Sequence, residues 1–228
     1  MEHPFSWFSL LSLGFPDHTL AAWLAMGMIL GAVLLGVAKL RQAPDPIVPD
    51  QGVTVRNVLE VLVENISSLA EDVAGHVGRR YAYLFGSFFI FILVANLMGL
   101  VPGFLPPTDN FNVTFGSGVV AFLMYHYLGV REHGVGYLKQ FVGPVWLLAF
   151  IMIPIELVGH LVRPFSLGLR LFGNIFGDHL VLGIFTSLTK VIIPVVFYLL
   201  GAFVAVIQAF VFTLLSMIYV ALATSHDH

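Results

Sequence analysis

The sequence predicts an all-α integral membrane protein, with about five membrane helices and one further amphipathic helix at the membrane surface. Three observations predict it. Of the 228 residues, 58% are hydrophobic and only 10% are charged, where a soluble domain carries about 25% charged residues. The mean hydropathy is +0.94. Apolar runs long enough to cross a bilayer recur along the chain, separated by short polar or proline-rich stretches.

All of residues 1–228 read as one membrane domain. Residues 1–20 form an N-terminal segment. Residues 21–40 are apolar and long enough to span, and Lys39 and Arg41 close that span. Pro44, Pro46 and Pro49 make an irregular linker. From 51 to 80 the pattern changes. Val55, Leu59, Leu62, Ile66, Leu69, Val73 and Val77 recur at three- and four-residue steps, with Glu60, Glu64, Ser67 and Glu71 on the other face. That is an amphipathic helix with too many charges to span, suited to the interface or to another subunit. Residues 81–130 read as a helical hairpin, with spans at 81–101 and 113–130 around a polar turn from Pro106 to Asn112. Residues 141–223 hold two over-long apolar segments separated near Lys190 and Pro194. Helix over 141–187 would be about 70 Å long, against a hydrocarbon core of about 30 Å. The first of the pair must therefore tilt strongly or break near Pro154, Pro164 or a glycine.

Positive charge orients this topology. Lys39, Arg41, Arg56, Arg79, Arg80, Arg131 and Lys139 fall on one side and Lys190 on the other, leaving Arg163 and Arg170 inside. The positive-inside rule makes the first side cytoplasmic, with the N-terminus outside and the C-terminus inside. The net charge of −3 argues against nucleic acid as a partner. There is no cysteine, hence no disulfide framework or thiolate chemistry. The nine histidines are scattered and suggest no metal site. The N-terminus lacks a basic region and a small-residue cleavage site, so a cleaved leader is not expected.

Arg170 is the most informative residue. A fixed cation at membrane depth is costly and rarely idle. On an ideal helix at about 100° per residue, polar residues gather on its side. With Arg170 at zero, Arg163 falls at about 20°, Asn174 and Glu156 at about 40°, His160 and Asp178 at about 80°, and Ser166 at about −40°. Such a stripe suggests an ion path. Glu156 lies about 21 Å and Asp178 about 12 Å from Arg170 along one straight helix, so neither can pair with it there. A partner from another element or subunit, or water, is required. Glu156 reads as a relay or as a partner of Arg163. His179 falls at about 180°, on the opposite face. Beside Asp178 it suits proton exchange from the far side of the helix. Gln208 is the main amide of the last segment, as a helix–helix link or a contact to the stripe. His160 and Arg163 are each long enough to snorkel to the interface. His126 and His133 read as structural groups near the surface.

The run Ser166-Leu-Gly-Leu-Arg-Leu-Phe-Gly-Asn174 closely resembles the signature of subunit a of F-type ATP synthases. Asn96-Leu-Met-x-Leu-x-Pro102, Pro107-Thr-Asp-x-x-Asn-Val-Thr114, Pro154-Ile-Glu156 and Gln208-Ala-Phe210 support the resemblance over roughly residues 50–225. It implies two long helices tilted against a rotating ring of c subunits, with Arg170 facing the ring's ion-carrying carboxylate. It also implies two offset half-channels, with Glu156, Asn174, His179 and Gln208 at matching positions; the stripe itself adds Asp178 and, with lesser parts, His160, Arg163 and Ser166. The partners implied are the c ring, the b-subunit stalk, the remaining F0F1 subunits and the lipid of a bacterial inner membrane. No cofactor is implied, and the proton is the expected coupling ion. Where family members carry His at the position of His179, some place a carboxylate on the last helix. Gly201 stands there in this chain, and Asp178 is the candidate replacement. A proton-coupled secondary transporter is the alternative reading, although such proteins usually show more spans and internal repeats. A membrane scaffold would not need the stripe.

Overall fold

Helix follows the apolar runs. The computed structural model describes residues 7–8, 14–42, 50, 52–101, 103–137, 149–189 and 192–225. Among these it is helical, with no strand: α1 (Asp17–Gln42), α2 (Val55–Arg80), α3 (Ala82–Met98), α4 (Phe111–His133), α5 (Ala149–Leu188) and α6 (Ile192–Thr224), with 3-10 turns at Pro107–Asp109 and Gly134–Gly136. Helices α1, α4, α5 and α6 are long and apolar enough to cross a membrane, and the bent pair α2–α3 supplies a fifth candidate. Lys139, Lys190 and residues 141–148 lie outside the described residues.

Local chemistry sets the ends. Helix α1 carries Asp17 in its first turn and Lys39 and Arg41 in its last, which complements the helix dipole at both ends. The Thr54 hydroxyl caps α2 by accepting from the Asn57 backbone N–H. Arg56 then joins Asp50 at 3.1 Å and Glu60 at 2.7 Å. The apolar face of α2 is packed: Ile66, Ala70 and Val77 are buried in a core with Phe85, Tyr125, Leu128 and Met217. Near its end Gly75 adopts φ 58°, a backbone conformation that favours glycine. Beyond it the chain turns 115° at Tyr81 into α3, the geometry of a surface helix entering a span.

Helix α5 runs for 40 residues with Pro154 and Pro164 inside it, about 60 Å of helix. The segment therefore does not break at its prolines, although a break was one of the two expectations. It packs between α4 and α6. The α4 crossing is backbone to backbone: Gly118 faces the Pro164 carbonyl, and a methyl group at Gly168 would lie 2.8 Å from Phe115 Cα. Small residues allow this approach where lipid supplies no hydrophobic drive between helices. Phe111 packs on Phe165 and Phe172 beside it. In α6 the buried hydroxyls of Thr213, Ser216 and Thr224 donate to carbonyls one turn back, so they need no partner on another helix.

The basic residues Lys39, Arg41, Arg79, Arg80 and Arg131 lie in the last turns of α1, α2 and α4, and Arg131 stacks over Tyr81, where α2 turns into α3. We call this the basic end. At the opposite end the turn after α3 is tied down. The Thr108 hydroxyl donates to Asn96 Oδ1, and Asn96 Nδ2 donates to the Ala205 carbonyl.

Candidate functional site

The polar residues of α5 divide into three groups along its length. Arg170 is the middle one. It is exposed, and Phe165, Leu169 and Phe176 around it are exposed apolar side chains, as are Phe203, Val206 and Phe210 on α6. Among the described residues Arg170 makes no ion pair; Glu156 and Asp178 both point elsewhere, as the spacing required. One turn on, Asn174 Nδ2 donates to Gln208 Oε1 at 2.6 Å. Gln208 is buried, so it is both a helix–helix link and a neighbour of the stripe. Ser166 is half-buried and makes no hydrogen bond among the described residues.

At the basic end, α5 faces α4. His160 is buried. Its Nε2 lies 3.1 Å from Glu156 Oε1, an ion pair when the imidazole is protonated. Its Nδ1 lies 2.9 Å from the Tyr125 hydroxyl and 3.4 Å from Arg163 NH1. The Arg163 guanidinium sits over the rings of Tyr125 and Tyr219 at 5.8 and 5.3 Å, a cation–π arrangement. Glu156 is thus paired with His160 and not with Arg163. Neither His160 nor Arg163 is left to reach for the interface alone. His126 is drawn into the group, with its ring 5.0 Å from that of His160.

At the opposite end, glycines make room for titratable side chains. A methyl group at Gly201 of α6 would lie 2.5 Å from Asp178 Oδ2, and one at Gly99 would lie 2.5 Å from His179 Nε2. The two residues diverge as a step of about 100° requires, Asp178 toward α6 and His179 toward the end of α3. His179 lines a cavity of about 410 Å³ with Gly99, Gly103, Leu105, Thr186 and Tyr198. Asp109 stands in the adjoining turn. Its Oδ1 is buried without a hydrogen-bond partner, and burial pushes its carboxyl above the ordinary range, partly offset by His179.

Sequence reasoning did not single out Asp109, Tyr125 or Tyr219. Asp109 had a signal, a carboxylate inside the Pro107-Thr-Asp motif already noticed. The tyrosines had none, because their partners are 35 residues away or on another helix.

Comparison with known proteins follows the same outline. A family model described as ATP synthase A chain matches residues 19–221. ATP synthase subunit a of Bdellovibrio bacteriovorus is 50% identical over 192 residues, covering 84% of each chain. ATP synthase subunit a 1 of Syntrophotalea carbinolica is 45% identical over 215 residues, 94% of this chain and 88% of that one. ATP synthase subunit a of Desulfosudis oleivorans is 41% identical over the whole of both chains.

Proposed function

The chain belongs to the ATP synthase A chain family, and from that premise we propose that it is the stator ion-channel subunit of the F0 sector, coupling proton flow to rotation of a c ring through two offset half-channels. It is a multi-pass membrane protein and not catalytic on its own. The observation that carries the mechanism is Arg170, an exposed cation in an apolar face with no ion-pair partner among the described residues. A face of that kind calls for a carboxylate from a neighbouring subunit.

The chemistry follows from the cost of burying charge. A ring carboxylate crosses lipid only when neutral. Opposite Arg170 its ionised form is favoured, because a nearby cation stabilises it. A guanidinium stays charged under all realistic conditions, so Arg170 releases the proton from each arriving carboxyl and blocks direct passage between the half-channels. Asn174, locked to Gln208, holds a polar edge beside it. The basic end, with Glu156, His160 and Arg163, supplies the cytoplasmic half-channel by the positive-inside rule. On this reading the N-terminus is outside and the C-terminus in the cytoplasm. The outer half-channel enters by the cavity at His179 and continues along Asp178, whose carboxylate occupies the space over Gly201. Ser166 borders the Arg170 face. The c ring covers the open apolar face, while the b-subunit stalk and the remaining F0F1 subunits complete the complex in a bacterial inner membrane.

The test uses inside-out vesicles carrying the assembled complex. ATP should drive acidification of the lumen with or without sodium, and Arg170→Ala should abolish it while the complex remains assembled. Strict dependence on sodium would overturn the choice of ion. Coupled synthesis in the Arg170→Ala variant would overturn the mechanism.

A further inference from the structure

The basic-end group contains a contact that the half-channel does not yet use. Tyr125 is 1% exposed, and its hydroxyl lies 2.9 Å from His160 Nδ1. Arg163 NH1 approaches the same nitrogen at 3.4 Å. A guanidinium can only donate, so Nδ1 is the acceptor, and the proton of the neutral ring resides on Nε2. Nε2 is the nitrogen that faces Glu156 Oε1 at 3.1 Å. The order is therefore phenol to imidazole, with the Nε2 side of the ring beside the carboxylate in a close contact that is not an aligned hydrogen bond. Arg163 itself lies over the adjoining rings of Tyr125 and Tyr219, with its NH1 on the Nδ1 side of His160.

We propose that Tyr125 is a positioning residue of the ion path, fixing the tautomer of His160 so that the Nε2–H dipole stands beside one oxygen of Glu156 and leaves the other to exchange protons with water. This deepens the half-channel reading and rests on it. Protons add to and leave from the Glu156 carboxylate; His160 and Tyr125 keep theirs. The Glu156 side chain is 33% exposed, so its free oxygen can meet water. Among the described residues, the groups facing His160 include Glu156 and Arg163 from its own helix and Tyr125 and His126 from α4. Tyr219 of α6 and Tyr137 beyond α4 stand behind them, Tyr219 against the Arg163 and Tyr125 side chains and Tyr137 with its ring 5.9 Å from that of His126.

The experiment measures ATP-driven proton pumping against pH in inside-out vesicles with the whole complex, alongside immunoblots for assembly. Tyr125→Phe keeps the ring under Arg163 and removes the donor. It should shift the limb of the profile that depends on Glu156 toward alkaline pH by roughly half a unit, the lower end of what one hydrogen bond weighs on a protonation equilibrium. In a Glu156→Gln background the same substitution should change nothing further, since Tyr125 acts through Glu156. Tyr125→3-fluorotyrosine preserves packing and strengthens the donor, so it should shift the limb the opposite way; it also decides the matter if Tyr125→Phe fails to assemble. An unchanged profile in either Tyr125 variant, or full additivity with Glu156→Gln, overturns the inference while leaving Glu156 in the channel. A wild-type profile for Glu156→Gln overturns both.

Discussion

The two ends of α5 solve the same problem differently. Both hold titratable groups inside an apolar helix. At the basic end the solution is partners: Glu156, His160 and Arg163 are bound into a network with Tyr125 and Tyr219. At the opposite end it is space: Gly99 and Gly201 leave room for His179 and Asp178, a cavity opens beside them, and Asp109 keeps a buried oxygen without a donor. A network specifies direction, because each donor has one acceptor. Space admits water and lets several groups substitute for one another. The expectation is that single changes at the basic end alter the pH dependence more than the rate, and that the opposite end loses most of its rate only when its groups fail together.

Breaking the comparison altogether needs the residue between the two ends. Arg170→Ala should reduce ATP-driven pumping to background with the subunit still assembled. Arg170→Lys should fail too, since an ammonium lacks the guanidinium's fork and deprotonates when buried. Normal pumping by either would show that the ends are not separated by a fixed charge.

The next largest effect should come from the opposite end. Asp178→Asn and His179→Leu are each expected to slow proton entry roughly threefold. The double variant should be slower than the product of the two by about tenfold, a coupling within the range for groups that share a task. Simple additivity in the pumping rate would place the outer path elsewhere, along Gln208 and water.

Gly201→Ala sharpens the case for space. Its methyl group would come within 2.5 Å of Asp178 Oδ2, so crowding that displaces the carboxylate should slow pumping about threefold. Combining it with Asp178→Ala should remove that penalty. A penalty that persists in the combination would mean that Gly201 matters for another reason.

Glu156→Gln should have the smallest effect on rate, about twofold near neutral pH, with a clear change in pH dependence. The amide keeps the contact to His160 and loses only the exchangeable proton. A rate unchanged at every pH would make the network structural.

The helical architecture was legible because periodicity and apolar length are local properties. The isolation of Arg170 was legible for a related reason: rise per residue alone puts Glu156 and Asp178 out of reach. The continuity of α5 was not, since a proline inside an apolar run is compatible with either a break or an unbroken helix. The tyrosine partners of His160 and Arg163 were hidden as well, because a tyrosine in a span has the same sequence signature whether it is core or polar contact. Gly99 was the least visible. A missing side chain acquires meaning only once His179 is seen to occupy the room it leaves.

The crossing at Gly118, Pro164 and Gly168 has a mechanical meaning. Arg170 lies two residues beyond Gly168, where α5 rests against the Phe115 backbone. Side chains between helices would act as soft spacers, since rotamers can give way under load. At Gly118 and Gly168 there are none, so there a sideways push on Arg170 passes from one main chain to the other, with the Phe111, Phe165 and Phe172 rings packed beside the crossing. The helix beside Arg170 is thereby braced main chain to main chain, and a methyl group at Gly168 would loosen that brace by forcing the helices apart.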